Sequence, residues 1–385
     1  MSVDLSRCLE FSGYAFALVA MVYSLISAFA TRRRLSPTPD TRPEVSPPIT
    51  VLKPLCDAEP ETYECLRSFC EQAYPKYQVV FGVSDPLDPA VAIVHRLQKE
   101  FPRLDLVLAV ERRQHGSNRK VSNLINMMSF ARHDYLIVSD SDVKVESNYL
   151  TNLIPPLLDA GVGIVTCAYR GVPRSGIWSL LGSMYINEWF MPSVRVAAML
   201  GYRAFAFGVT IGIRRDTLAK IGGFHSVSSQ LADDYRLGEL TRGLGLRTVL
   251  SPVEVDTYVG ERSAADLVAH ELRWRRTIRN LNPYGYGFSF VTFGFPVTAL
   301  QLLLARGAAP AAAIFAATSL ASVFIHLNTR SPGVSAFRLL LVPIRDLLHF
   351  GLWMWSFVTR RVQWGNDLFH VDRDGAAQHI ESRAA

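Results

Sequence analysis

Two acids stand two residues apart, Asp140 and Asp142, in Ser139-Asp140-Ser141-Asp142-Val143, where an apolar run ends. In extended backbone, alternate side chains share a face, so both carboxylates can approach one point. Paired carboxylates completed by water and substrate phosphates are what Mg2+ or Mn2+ prefers. An ion held there would neutralise a leaving diphosphate. Asp and Ser are also ordinary turn formers, and taken alone the motif serves either purpose equally well.

Other polar residues recur at comparable places. Asp85 follows the run FGVS in VSDPLDPA, where a carboxylate can accept bonds from a uracil or ribose. Gly116-Ser117-Asn118-Arg119-Lys120 opens the stretch VSNLINMM, so that backbone N–H groups and Lys120 can face an anion. Leu231-Ala232-Asp233-Asp234-Tyr235 puts adjacent acids at a helix start, a pattern that simple capping also produces. Finally, residues 270–280 read HELRWRRTIRN. This is either a basic collar before an apolar tract or part of a site containing His270, Arg273 and Trp274, with Arg275, Arg276 and Arg279 kept for headgroups.

The elements expected to position these groups lie between about residues 48 and 275. ITVLKPL, YQVVFGVS, LDLVLAV, DYLIVSD and VGIVTCAY are short apolar runs, the first four separated by amphipathic segments. That alternation predicts βαβ units and a mostly parallel sheet covered on both faces. Function in such sheets sits at the carboxyl ends of the strands, where Asp85, Asp140 and Asp142 fall. No GxGxxG or P-loop follows the first strand. The fold class is therefore α/β, with a domain at 49–282, a Pro-rich linker at 36–48 and a tail at 361–385.

The chain is 49% hydrophobic and 19% charged, with the apolar excess at its two ends. Residues 11–30 carry no charge and are long enough to cross a bilayer. Arg32-Arg33-Arg34 after them would keep the following domain in the cytoplasm, giving an anchor at 1–35 with its N-terminus outside. Apolar stretches near 285–305, 308–327 and 337–358 form a second membrane region at 283–360, and one of them is expected to be re-entrant or interfacial. Its third stretch contains Pro343, Arg345, Asp346 and His349, costly for a lipid-facing span. The net charge of +6 comes with arginines beside the apolar tracts, which fits a phospholipid bilayer and no nucleic acid. Five scattered cysteines without CxxC spacing suggest free thiols in a reducing compartment and no structural zinc.

In their order, Asp85, Asp140-Ser-Asp142, Asp234 and Arg273-Trp274 resemble the D, DxD, D, (Q/R)xxRW series of glycosyltransferases with the GT-A fold, a Rossmann-like arrangement. HGSNRKVSNLINM, SDSDV, LADDYRLG and VQWGNDLFHVDRDG are similar in order and spacing to the ceramide glucosyltransferase family, glycosyltransferase family 21, from about residue 10 to 375. Within that family the sequence is similar to a bacterial hopanoid-associated branch. The resemblance implies a membrane-bound inverting transferase of the bacterial inner membrane. It would move N-acetylglucosamine or glucose from a UDP-sugar to a membrane lipid, a hopanoid polyol before ceramide. Asp85, Lys120 and His270 would serve the donor, Asp140 and Asp142 a Mg2+ or Mn2+ ion and the diphosphate. Asp234 would be the base, with Arg273 and Trp274 beside it. Two departures stand out: His270 replaces the family's Gln or Arg, and the tail from Trp364 loses basic residues.

Residues 176–206, with Trp178, Tyr185, Trp189, Phe190 and Met191, are rich in aromatics and methionine. They are suited to an apolar acceptor groove or to simple packing at a bilayer surface. Two other functions share some of these features. A processive polysaccharide synthase usually carries QxxRW and more spans, and a UDP-sugar-binding scaffold needs no base at Asp234.

Overall fold

The computed structural model describes residues 2–33, 46–174, 176–331, 333–358, 361–364, 367–371 and 377–382. Most of the expected linker, with Arg34, lies outside them. The central domain is built on eight strands: β1 (Ile49–Pro54), β2 (Tyr77–Val83), β3 (Asp105–Val110), β4 (Tyr135–Val138), β5 (Val143–Lys144), β6 (Val162–Pro173), β7 (Ile211–Arg214) and β8 (Arg247–Val259). They form one sheet in the order β3-β2-β1-β4-β7-β6-β8-β5. β1 pairs in parallel with β2 and β4, β2 with β3, and β6 with β8, whereas β7 runs antiparallel between β4 and β6.

The continuous apolar runs of β1 and β2 have a direct cause. Every residue of both strands is buried, because helices cover each face. Ile49, Val51, Val79 and Phe81 point toward the helices Thr62–Cys70 and Ala90–Glu100, with Leu66, Phe69, Val94 and Leu97. Leu52, Val80 and Leu136 point the other way, onto Val121, Leu124 and Met127 of the helix Arg119–Met127. The βαβ order brings the carboxyl ends of β1, β2 and β4 to one edge. All five cysteines are free, and Cys65, Cys70 and Cys167 are buried.

At the ends, Cys8–Ala30 and Ala309–Thr329 are helices long and apolar enough to cross a membrane. The pair Pro283–Thr292 and Gly294–Leu304 bends by 64° at Phe293, as a broken span or re-entrant loop would. Close packing joins these helices: a Cβ on Gly294 would meet Ser24 Oγ at 2.4 Å. Phe11, Phe16, Leu18, Val22 and Phe29 meanwhile face outward, a surface suited to lipid. The last apolar stretch forms only a 15-residue helix, Val342–Ser356. Its Leu347, Met354 and Trp355 are exposed while Arg345 and His349 are buried.

The expected collar takes a different form. Arg275, Arg276 and Arg279 lie on the helix Ala264–Leu281 at 1%, 9% and 9% exposure, turned inward instead of toward headgroups. Glu271 accepts from Arg275 at 3.0 Å and from Arg345 at 2.6 Å, and Arg279 donates to the Ser356 carbonyl. Positions 271, 275 and 279 recur every four residues, so they share one helix face. That face clamps the Val342–Ser356 helix. A guanidinium leaves water only when paired, and here an acid within the same stretch supplies the partner. Beyond it, strands β9 (Arg361–Trp364), β10 (Asp367–Val371) and β11 (Ala377–Ser382) form a small antiparallel sheet.

Candidate active site

At the end of β4 the chain turns back at once. The Val143 N–H donates to the Asp140 carbonyl at 3.3 Å. Asp140 and Asp142 are therefore the first and third residues of a turn, not alternate positions on an extended strand. The antiparallel pairing of β5 with β8 requires the reversal. The two carboxylates still interact, because the turn is tight. Thr257 Oγ1 of β8 donates to Asp142 Oδ2 at 3.0 Å, and burial followed by repulsion from Asp140 raises the Asp142 carboxyl.

A residue not singled out from sequence fixes this turn. Lys53, the one charged side chain of β1, is fully buried. Its ammonium donates to Ser139 Oγ at 3.4 Å and to the Asp140 carbonyl, and lies 3.9 Å from the Phe69 ring centroid. Burial pulls Lys53 down to about 8 despite the nearby Asp140 and Asp142. A lysine inside an otherwise apolar run was the available signal.

The acids gather around Gly208. A Cβ placed there would lie 3.3 Å from Lys120 Nζ, 3.4 Å from Asp234 Oδ2 and 3.5 Å from Asp140 Oδ2. Three charged groups from three segments thus converge on a cradle that any larger residue would begin to fill. Lys120 Nζ is 2.5 Å from Asp140 Oδ1 and 3.9 Å from Asp233 Oδ2. Although burial opposes it, these acids hold the ammonium above its ordinary range. Asn118 caps the helix by accepting from the Val121 N–H at 3.0 Å, and its amide reaches the Gln230 carbonyl at 2.9 Å, joining this loop to the Asp233 segment.

Asp234 lies in the first turn of its helix and accepts from one of that turn's free N–H groups, but it is not at the N-cap position. The N-cap position is Ala232, and no side chain caps the helix there. Asp234 Oδ2 accepts from the Gly208 N–H at 2.8 Å and Oδ1 from the Tyr235 N–H at 2.7 Å. Burial, then the neighbouring Asp233, pushes its carboxyl up to about 6. That value suits a group that must take a proton near neutrality.

Arg273 is brought to the same place. Burial lowers its guanidinium, opposed by the fields of Asp140, Asp233 and Asp234. Trp274 packs against Tyr185 at 5.5 Å and Phe190 at 6.5 Å between centroids. His270 holds that tryptophan: its ring meets Trp274 edge-on at 4.4 Å, and Nδ1 donates to buried Glu261 at 2.6 Å. Asp85 stands apart on the exposed rim, accepting from the Leu87 N–H and from Arg112 at 3.1 Å. Those bonds, the Leu87 one foremost, keep its carboxyl below the usual range.

The aromatic stretch 176–206 divides. Tyr185, Trp189 and Phe190 join one row of rings with Trp274, and His349 meets Trp189 at 4.3 Å. The chain forms a π-helix there, Tyr185–Phe190, a widening that frequently marks functional sites. Met191 is buried in the main core beside them. Trp178 packs elsewhere, with Leu180, Leu267 and Val342.

Comparison with known proteins follows the same outline. Residues 13–377 match the profile of Glycosyl transferase family 21. Ceramide glucosyltransferase 3 of Caenorhabditis elegans is 20% identical over 96% of this chain and 82% of its own length. Ceramide glucosyltransferase 1 of the same organism is 22% identical over 63% of this chain, which spans about half (52%) of that relative. Among solved structures, a mannosyltransferase from Pyrobaculum calidifontis in complex with GDP-Man and Mn2+ superimposes with a TM-score of 0.53, at 22% identity, covering 91% of this chain and 95% of the other.

Proposed function

The chain belongs to Glycosyl transferase family 21, and from that premise we propose that it transfers a hexose from a UDP-sugar to a hydroxyl of a membrane lipid, with inversion. The observation that carries this reading is the convergence of Asp234, Asp140 and Lys120 on Gly208, with Arg273 in their field. Helices able to cross a membrane flank that cluster. The catalytic domain, 49–282, would face the cytoplasm of a bacterial inner membrane.

In this mechanism the acceptor oxygen attacks the anomeric carbon as the bond to the diphosphate breaks in line. Asp234 takes the hydroxyl proton. Its two backbone N–H bonds aim the carboxylate, and its raised pKa makes it basic enough without a partner histidine. Arg273 and Lys120 offset the charge that develops on the leaving UDP. Asp85 would take the nucleoside on the outer rim, and His270 would steady Trp274 against donor and acceptor. The donor set of two buried-edge carboxylates fits a divalent cation, which Asp140 and Asp142 would hold. Bound there, Mg2+ or Mn2+ supplies Lewis-acid neutralisation of the diphosphate.

The hopanoid polyol is the first acceptor because of the sequence resemblance. Ceramide is the second reading, favoured by the names of the two relatives above. Purified full-length protein is to be assayed with UDP-glucose and UDP-N-acetylglucosamine against both lipids. A glycosylated hopanoid is the expected product. Product from ceramide alone would replace the first acceptor with the second, and no lipid product from any pairing would end the proposal. Activity untouched by EDTA and by Asp142→Ala would remove the metal.

A further inference from the structure

We infer that the Lys120 ammonium is a built-in counterion occupying the cation position on Asp140, so that a divalent ion loads by exchange with it and loads well only when a nucleotide is present. This rests on the metal-dependent transferase reading above.

The geometry that leads there is local. Lys120 Nζ sits 2.5 Å from Asp140 Oδ1, a close charge-assisted contact. The same nitrogen lies in the cradle over Gly208, with Asp140 Oδ2 and Asp234 Oδ2 at its border. A second anchor, Asp233 Oδ2, waits at 3.9 Å. Asp140 is thus the carboxylate shared between the lysine and any metal, whereas Asp142 accepts from the neutral Thr257 hydroxyl.

Two cations cannot use Asp140 without repelling each other in a half-buried pocket. Lys120 is only partly exposed, at 21% of its side chain, so it cannot swing far into water. It can instead tilt toward Asp233 or toward an arriving diphosphate, since the ammonium carries three donors and a flexible stem. A diphosphate beside Asp140 would offer it new acceptors and free the carboxylate for the ion. Without nucleotide the displaced ammonium keeps Asp233, already 3.9 Å away, but gains no new acceptor. Metal and nucleotide then favour each other's binding reciprocally, beyond whatever direct contact they make. Lys53 does not compete, because its hydrogen bonds go to the Asp140 carbonyl and the Ser139 hydroxyl and not to the carboxylate that Lys120 holds.

The test is Mn2+ binding to the full chain in detergent, followed by electron paramagnetic resonance of free Mn2+, with and without UDP. Wild-type protein should bind Mn2+ weakly alone and much better with UDP. Lys120→Met and Lys120→Gln should each tighten nucleotide-free Mn2+ binding by about tenfold, within the usual span of site–site coupling, and should shrink the gain from UDP. Lys120→Arg keeps a cation and should stay near wild type, a pattern that general loosening of the site would not produce. Thermal unfolding of each variant identifies any that has not folded, and the remaining neutral variant then decides. Unchanged or weaker nucleotide-free binding in the neutral variants, with UDP-assisted binding intact in wild type, would overturn the exchange and spare the transferase reading. Wild-type protein that binds no Mn2+ even with UDP would overturn the metal-dependent reading itself.

Discussion

The acid cluster around Gly208 and the arginine face of the Ala264–Leu281 helix are both dense in charge, yet the chain closes one and leaves the other open. Around Gly208, Asp140 keeps 33% of its side chain exposed and Lys120 21%. Burial, and after it the like charge of Asp233, raises Asp234 to about 6. On the helix, Arg275 and Glu271 are 1% and 3% exposed, and the acid is shared between two guanidinium groups. One group of charges stays partly open to solvent, whereas the other supplies most of its own partners and docks two helices. If the open group serves transfer as proposed, breaking it should cost chemistry, and breaking the sealed one should cost folding.

The largest effect expected is on chemistry. Asp234→Asn should lower transfer by roughly 10²–10⁴-fold, the usual worth of a positioned base, while calorimetry shows UDP binding retained. Full activity would remove Asp234 from the mechanism. For the docking face, Glu271→Ala leaves buried Arg275 and Arg345 without their acid, a loss of about 3–5 kcal/mol for a broken buried pair. Unfolding in matched detergent should show it, with Mn2+ binding to the surviving folded protein unchanged. A loss no larger than a surface substitution causes would mean that the face is not sealed.

A smaller effect concerns pH. Asp234 must be ionised to accept the proton, so kcat/KM should rise with pH through about 6. Asp233 is a like charge that disfavours ionisation of its neighbour. Asp233→Asn should therefore move this limb to lower pH, and an unmoved limb would show that another group is titrating. Smallest of all, His270→Gln removes the edge-on contact with Trp274. Such aromatic contacts are worth about 0.5–1.5 kcal/mol, so kcat/KM should fall by roughly 2–10-fold. A fall as large as that of Asp234→Asn would put His270 among the reacting groups.

These two regions were also unequally legible in sequence. β1 to β4 and β6 announce themselves as apolar runs because both faces of the sheet are covered. β7 is four residues long, and β8 mixes buried and exposed positions around Ser251-Pro252, so neither has a clear period. Asp140 could be named from a strand end and Asp234 from a helix start; Lys53 offered only the signal of a charge inside an apolar run, and Gly208 offered none. Their roles come from what approaches them across the sheet. The arginines misled for a related reason. Glu271 meets Arg345 across 74 residues of chain, and only that contact distinguishes a sealed ion pair from a lipid-facing collar.

The sealed face bears on where the chain can be cut. A fragment ending at residue 282 would contain every residue assigned to transfer, and on paper it would be a complete catalyst. It would also strip Arg345 and the Ser356 carbonyl from Glu271 and Arg279, opening to water one face of the helix that also carries Arg273 and Trp274. The sheet domain and the apolar helices therefore meet along a shared helix, and a cut at the line where hydropathy changes would part side chains that are paired across it.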